Sequence, residues 1–487
     1  MSDNYCDILR EDKTLRPYQQ EAKESIFSAW EECDNVLFQM PTGTGKTRLF
    51  SSIISDIKAW STLHSFDCRI LIIAHRIELI DQISENLQRY RIPHGIIAGG
   101  RERDLRQYVQ VASIQTITHH ANVDAIGELD IRFIIIDEAH HSVANSYRKL
   151  WKMFEGAKKL GVTATPWRMN GSGFYPLYDK LITSKPIKEF ISEGWLSPYN
   201  FYSVKSHSLE VQTISNINEF DIEGDYKVSA LEKEMDTMQI RARLLDSYLR
   251  LANGKKGIIY SISRKHSEHI REEYKQAGFK VVTIDANTPR DERRLFVQRF
   301  KNGLIDIIVN VDIFSEGFDC PDIEFIQLAR PTRSLVKYLQ QVGRGLRPTE
   351  GKTTCIILDN VGSCLKYGLP NEERTWEEYF FGQSDKERAE QSHNGVSFDR
   401  ETKEIDYTEG SDELCLVDGV ENPPSNPENR IPAWNDADDD LLRVLFVEKG
   451  CSCDLIASVF KTEVGIIEEI LRRKGLLTES KVVCPPH

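Results

Sequence analysis

The chain has no long hydrophobic run, no basic stretch among its opening residues and no CxxC cysteine pair. Its longest apolar stretches, such as ILIIA and FIII, are strand-sized, far short of the ~18 residues a membrane helix requires. The opening MSDNYCDILREDK carries acids where a secretion signal places basic and then apolar residues. Ten cysteines are scattered, the nearest pair being Cys451 and Cys453, and no CxxC occurs. That argues against a zinc ribbon or a disulfide framework and suits free thiols in a reducing compartment. The expectation is a cytoplasmic globular protein with no membrane partner.

A surplus of positive charge is also missing, since the formal net charge is −13. The acids are not spread evenly. Residues 371–430 hold 17 acids and 6 bases, and residues 431–487 hold 10 and 7. Residues 1–370 are left with 48 acids and 49 bases, free to carry a local basic track. Net charge therefore does not exclude a nucleic-acid partner.

A chain of 487 residues exceeds one ordinary core and predicts two or three domains. Short apolar runs alternate with helix-sized stretches, the pattern of parallel sheets covered by helices. NVLFQM, RILIIAH, VQVASIQ, RFIIIDE and KLGVTAT form one set of strands; GIIYS, KVVTIDA, IDIIVNV, IEFIQLA and TTCIILD form a second. The expected class is α/β, with two tandem domains over residues 1–198 and 199–370 and the break at GWLSPYN. Residues 371–430 read as an acidic linker, partly disordered, in which WEEYFF is a candidate for docking on the body. Residues 431–480 read as a small all-α module of three helices, similar to helix-turn-helix or Myb-like units, or as a helical tail packed on the body. That module is a candidate site for a protein partner.

The segment QMPTGTGKTRLF follows a strand and precedes a helix, the context of a phosphate-binding loop. Gly43 and Gly45 let the backbone curl so that the N–H groups of Thr42–Thr47 face phosphate oxygens. Lys46 would reach the β- and γ-phosphates, and Thr47 would ligate Mg²⁺. The first glycine of the usual pattern is replaced by Met40. In IIIDEAHH, Asp137 and Glu138 emerge from an all-apolar strand, placing one carboxylate for Mg²⁺ and the next for the attacking water. Thr163 and Thr165 of GVTATP are positioned to hydrogen-bond that pair. Some 200 residues downstream of the acid pair, QQVGRGLRP supplies Gln340, Arg344 and Arg347. The arginines are three apart, on one face if helical, and set across a cleft from the loop they would offset charge on the transferring phosphoryl group.

The ordered set LRPYQQEA, PTGTGKT, AHRIELIDQ, VASIQTI, DEAHH, TATPWR, NVDIFSEGFDCPDIE and QQVGRGLR resembles the superfamily 2 helicases over roughly residues 14–365. Within them it is most similar to the RadD and Irc3 group, relatives of XPB and of type I restriction motors. The resemblance implies two RecA-like domains and an ATP hydrolase using Mg²⁺. It implies that Arg16 and Gln19 read adenine, and that Glu316, Gly317 and Asp319 link nucleotide state to the second domain. It gives His140 a coupling role. Nucleic acid would contact His75, Arg76, Ser113, Gln115, Arg264 and Thr288 through its backbone phosphates. DNA is favoured over RNA, because duplex-RNA sensors of the superfamily carry a large helical insertion for which residues 195–255 have little room. The cysteine-rich tail of RadD-like proteins is replaced by the acidic segment and helical module. About fourteen residues precede LRPYQ, too few for the nuclease domain of restriction motors. A motor subunit of a defence or restriction assembly, and an RNA helicase, stay open as alternatives.

Overall fold

The computed structural model describes residues 7–65, 68–119, 126–142, 144–312, 322–382 and 414–419, with isolated positions at Phe446, Cys453, Ile467 and Leu471. The predicted C-terminal module, most of the acidic segment, and Glu316, Gly317 and Asp319 lie outside the described residues. No helix among the described residues is long and apolar enough to cross a membrane.

The first sheet uses β1 (Asn35–Gln39), β2 (Arg69–Ala74), β3 (His94–Ile97), β4 (Val109–Ser113), β5 (Ile131–Asp137), β6 (Lys158–Thr163) and β7 (Lys180–Thr183). Their order is β3-β4-β2-β5-β6-β1-β7, with every pair parallel. The second uses β8 (Tyr199–Ser203), β9 (Gly257–Tyr260), β10 (Val281–Ile284), β11 (Ile307–Asn310), β12 (Phe325–Leu328), β13 (Cys355–Asp359) and β14 (Cys415–Gly419). Their order is β10-β11-β9-β12-β13-β8-β14, and only β14 runs antiparallel. Two parallel α/β lobes are what the alternation of apolar runs predicts, and all ten predicted strands are present.

The central strands are aliphatic on both sides because helices cover both faces. Leu71, Ile73, Ile134 and Ile136 pack into one cluster, while Ile70, Ile72, Phe133 and Ile135 pack into another on the opposite face. A buried ion pair fixes the first helix, Pro17–Glu32, against the helix Lys46–Leu63 that follows the phosphate loop. Lys23 Nζ donates to Asp56 Oδ2 at 2.9 Å, to the Arg10 carbonyl at 2.5 Å and to Ser52 Oγ at 3.2 Å. Removing one partner would strand a buried charge, a loss of about 3–5 kcal/mol.

Beyond the second lobe the chain does not behave as a free linker. After the helix Ser363–Tyr367 it turns back to the first lobe, where the helix Trp376–Phe381 docks. Phe380 is buried in the first lobe's core beside Phe174 and Tyr178. The Phe174 backbone N–H donates to the Phe380 carbonyl at 2.7 Å. Gly173 permits that approach, since a Cβ there would lie 2.5 Å from the Phe380 carbonyl oxygen. The turn is knotted by Arg374, whose guanidinium donates to the carbonyls of Tyr367, Leu369 and Glu372 at 2.8–3.0 Å. The chain then returns to the second lobe as β14, where Asp418 accepts from Tyr199 Oη at 3.0 Å and Asn371 Nδ2 at 3.2 Å. Docking of WEEYFF matches the sequence reading. The strand at Cys415–Gly419 corrects the linker reading at those residues, because backbone pairing to β8 supplies what the acid-rich composition does not.

Candidate active site between the two lobes

Three loops converge at the carboxyl edge of the first sheet because β5, β6 and β1 are neighbours there, the edge at which open parallel sheets hold ligands. After β1 the chain turns through Pro41–Gly45 into the helix Lys46–Leu63. Gly43 and Gly45 have φ of 91° and 90°, a left-handed conformation that side chains disfavour. Thr44 Oγ1 donates to the Pro41 carbonyl at 2.7 Å and closes the loop on itself. Met40 is tolerated because its position still belongs to the sheet: its N–H donates to the Thr163 carbonyl at 2.9 Å. Lys46 Nζ donates to the Met40 carbonyl at 3.3 Å. Burial lowers its pKa, with Glu138 and Asp137 opposing that shift and Arg344 and Arg347 adding to it.

The first helix brings Arg16 and Gln19 to the loop. Gln19 Nε2 donates to the carbonyls of Thr44 (3.0 Å) and Gly45 (3.3 Å), and Tyr18 Oη donates to Thr44 O at 2.8 Å. The Arg16 guanidinium lies 4.9 Å from the Trp195 ring centre and donates to Tyr18 Oη at 2.9 Å. Gln19 thus grips the loop directly, while its amide oxygen accepts from the Arg16 backbone N–H at 3.0 Å. Tyr18 and Trp195 were missed by motif reasoning. The signal for Trp195 was present, but GWLSPYN reads as a break in the strand pattern rather than as a wall.

Asp137 and Glu138 end β5, and both are buried. Glu138 has φ 50° and ψ 52°, a left-handed conformation costing about 1–3 kcal/mol for a residue with a side chain. His140 Nδ1 lies 3.4 Å from Glu138 Oε2 and 3.1 Å from Thr163 Oγ1. Thr163 therefore reaches the acid pair through His140. Thr165 does not: its hydroxyl is buried with no hydrogen-bond partner among the described residues. The expectation that both threonines bond the pair holds only for Thr163, and indirectly.

The second lobe closes the site. Gln340 Nε2 donates to Glu138 Oε2 at 3.3 Å. The helix Leu335–Gly345 ends before Arg347, so the two arginines do not share a helix face. They meet the site from the last helical turn and from the coil beyond it. Arg344 is buried, and the Arg347 stem lies 3.2 Å from the space a Gly43 Cβ would fill. Both glycines of VGRG have a steric reason. A Cβ on Gly343 would lie 2.9 Å from Thr42 Cβ across the cleft, and one on Gly345 would lie 2.5 Å from Cys355 Sγ. Gly343→Ala should push the arginines off the loop by a fraction of an ångström. ATPase kcat/KM is expected to fall by up to about 10²-fold, with an unchanged thermal midpoint. An unaltered rate would show that the approach of lobe two to Thr42 is dispensable.

A helix N-terminus, two glycines, an ammonium, an acid pair and two guanidinium groups suit a triphosphate with Mg²⁺. Thr47 and Asp137 are the oxygen donors that fit the metal.

The nucleic-acid candidates fall into two groups. On the first lobe, Ser113 Oγ donates to Gln115 Oε1 at 2.6 Å, and Gln115 Nε2 donates to the His75 carbonyl at 3.0 Å. On the second, Arg264 and Thr288 meet at Asp285: Arg264 Nε lies 2.5 Å from Asp285 Oδ2, and Thr288 Oγ1 accepts from Asp285 N at 3.0 Å. Arg76 bridges the lobes, donating to the Asp312 carbonyl at 3.3 Å. Two further bridges were missed: Arg290 pairs with Asp81, and Arg293 Nη1 with Glu78 Oε1 at 3.1 Å. The run TPRDERR carries those arginines, but nothing local reveals partners some 200 residues away.

Residues 12–168 match the family described as Type III restriction enzyme, res subunit, and residues 240–349 match the Helicase conserved C-terminal domain. A 51.5 kDa protein of a Lactococcus phage is 36% identical over 71% of this chain and 70% of its own length. The Saccharomyces cerevisiae protein IRC3, named as an ATP-dependent helicase, is 30% identical over 72% of this chain but only 52% of its own length. The DNA 3'-5' translocase XPB2 of Sulfurisphaera tokodaii is 26% identical over 73% of this chain and 84% of its own. A fragment of an HsdR subunit of a type I restriction enzyme from Vibrio vulnificus shares the fold, with a TM-score of 0.58 at 22% identity over 79% of this chain and 70% of that one. The chain belongs to the superfamily 2 helicases, ATP hydrolases built on two RecA-like lobes, in the group that holds Irc3, XPB and the restriction-enzyme motors.

Proposed function

We propose that the chain hydrolyses ATP to move on, or remodel, duplex or branched DNA, in repair, recombination or defence. One observation supports the reading: Gln340 of the second lobe is bonded to Glu138 of the first, so a nucleotide held at Glu138 would be shared between the lobes. A site split across a cleft changes shape when its contents change, whereas a pocket inside one lobe need not.

In this reading the loop Thr42–Thr47 binds the phosphates, and Lys46 neutralises the β- and γ-oxygens. Thr47 and Asp137 would hold Mg²⁺, which would supply positive charge against the phosphates. Glu138 accepts a proton as water attacks the γ-phosphorus. The bond to the β–γ bridging oxygen breaks, and its electron pair leaves with ADP. Arg344 and Arg347 offset the negative charge on the transferring group, and their loss of a partner lets the lobes part. His75, Arg76, Ser113 and Gln115 on one lobe, and Arg264 and Thr288 on the other, then hold the DNA backbone at two points whose spacing changes each cycle. Gly317 and Asp319, carried over from the family pattern, complete the nucleotide contacts.

The relative named as a DNA translocase, matched over most of its length, supports DNA. So does the stretch after β8, whose helices Leu209–Ser215, Val228–Met235 and Met238–Leu251 leave no room for a separate insertion. The test compares ATPase rates with single-stranded, duplex, forked and four-way DNA and with RNA, using Lys46→Ala as the inactive control. Duplex or branched DNA is expected to stimulate most, with binding that weakens steeply as salt rises. Stimulation by RNA alone would reverse the substrate assignment.

A further inference from the structure

The two halves of the proposed engine on the first lobe, the DNA-holding residues and the water-activating carboxylate, are joined by a row of three imidazoles in tilted contact, their planes 45° and 43° apart. His75, after β2, lies with its ring centre 4.0 Å from that of His141, and His141 lies 4.2 Å from His140. His140 in turn reaches Glu138 Oε2 at 3.4 Å and Thr163 Oγ1 at 3.1 Å. At the other end, the His75 main chain is held by Gln115, itself bonded to Ser113. We propose that His75, His141 and His140 form a positioning relay that carries nucleic-acid occupancy on the first lobe to Glu138.

Two features suit the row to transmission. Its ring centres lie 4.0 and 4.2 Å apart, in contact, so a shift of the His75 backbone bears on its neighbours. The receiving end is also poised to respond. His140 and His141 sit in the short turn Ala139–His141, which starts from Glu138 in its left-handed conformation, and the His141 N–H donates to the Glu138 carbonyl at 3.1 Å. A residue held in a disfavoured conformation stores about 1–3 kcal/mol, so pressure on the turn is expected to shift the carboxylate it carries. His141 is the middle ring and is exposed, so replacing it removes the connection without opening the core.

The proposal rests on the DNA-stimulated ATPase reading. His141→Ala is expected to keep the ATPase rate without nucleic acid and the KM for ATP within about twofold of the parent, and duplex affinity within about threefold. The duplex-stimulated kcat should fall about tenfold, within the usual range of coupling between sites. His141→Phe restores an aromatic ring without its nitrogens and should recover at least about half of the stimulation. Full stimulation in His141→Ala would overturn the relay. So would a loss of duplex affinity large enough to explain the lower rate, since His141 would then be a direct contact, or a failure of His141→Phe to rescue. A parent chain that no nucleic acid stimulates would overturn the functional reading, and the relay with it. Stimulation of the parent together with an unaffected variant would overturn the relay alone.

Discussion

Arg344→Ala is expected to lower kcat for ATP hydrolysis by about 10³-fold or more, the scale of an arginine supplied to a phosphoryl-transfer site. The reason lies in where the side chain is held. Arg344 is buried at the end of its helix, near enough to Lys46 to influence that residue's charge, and Gly343 beside it lets the backbone lie against Thr42. The charge it would oppose appears mainly in the transition state, so ATP affinity should change far less than turnover. Arg344→Lys is the informative control. It keeps the charge but loses the planar fork, and should stay closer to the alanine variant than to the parent. Steady-state ATPase assays at saturating DNA, paired with binding of a fluorescent ATP analogue, would read both quantities. A kcat within threefold of the parent for Arg344→Ala would remove the shared site from the mechanism.

The second large effect concerns stability. Phe380 is buried in the first lobe although its chain neighbours on the N-terminal side belong to the second. Truncating a buried phenylalanine costs about 3–5 kcal/mol. The segment 368–382 contributes no strand to either sheet, so Phe380→Ala is expected to spend that energy on undocking rather than on global unfolding. At 1.4 kcal/mol per factor of ten, the undocked population would rise by about 10²-fold or more. Limited proteolysis with mapping of the cut sites is the measurement, and cleavage near Tyr379 and Phe381 should accelerate accordingly while the sheets stay protected. Uniform loss of protection across the first lobe would mean that the docked helix is part of that lobe's folding unit.

Most interior strands announced themselves in the sequence, and of the four edge strands only β10 did. Of the four strands that pattern reading missed, β3, β7 and β14 lie at sheet edges. An edge strand is covered incompletely and lacks the unbroken aliphatic run that marks an interior parallel strand; in KLIT of β7 three residues are half-buried and Thr183 is exposed. The fourth, β8, alternates buried and half-buried residues as YNFYS and follows a proline, so it reads as a break. The same logic applies to the site. The phosphate loop, the acid pair and the arginines are legible because each is a local motif with a local cause. The contacts of Gly343 with Thr42 and Arg293 with Glu78 join residues hundreds of positions apart, and no nearby residue implies them. Gly173 belongs to the same class, since its partner is a carbonyl more than 200 residues later.

The docked segment also constrains how the cleft can open. Among the described residues the polypeptide crosses from first lobe to second at residues 193–198 and crosses back at 368–375, and it rejoins the second lobe further on as β14, so the halves are pinned at two described crossings rather than one. A single pin would permit twisting in any direction; two leave chiefly a swing about the line joining them, as a door turns on a pair of hinges. Each spent nucleotide would then produce displacement along one repeatable arc, which is what stepping by constant increments demands.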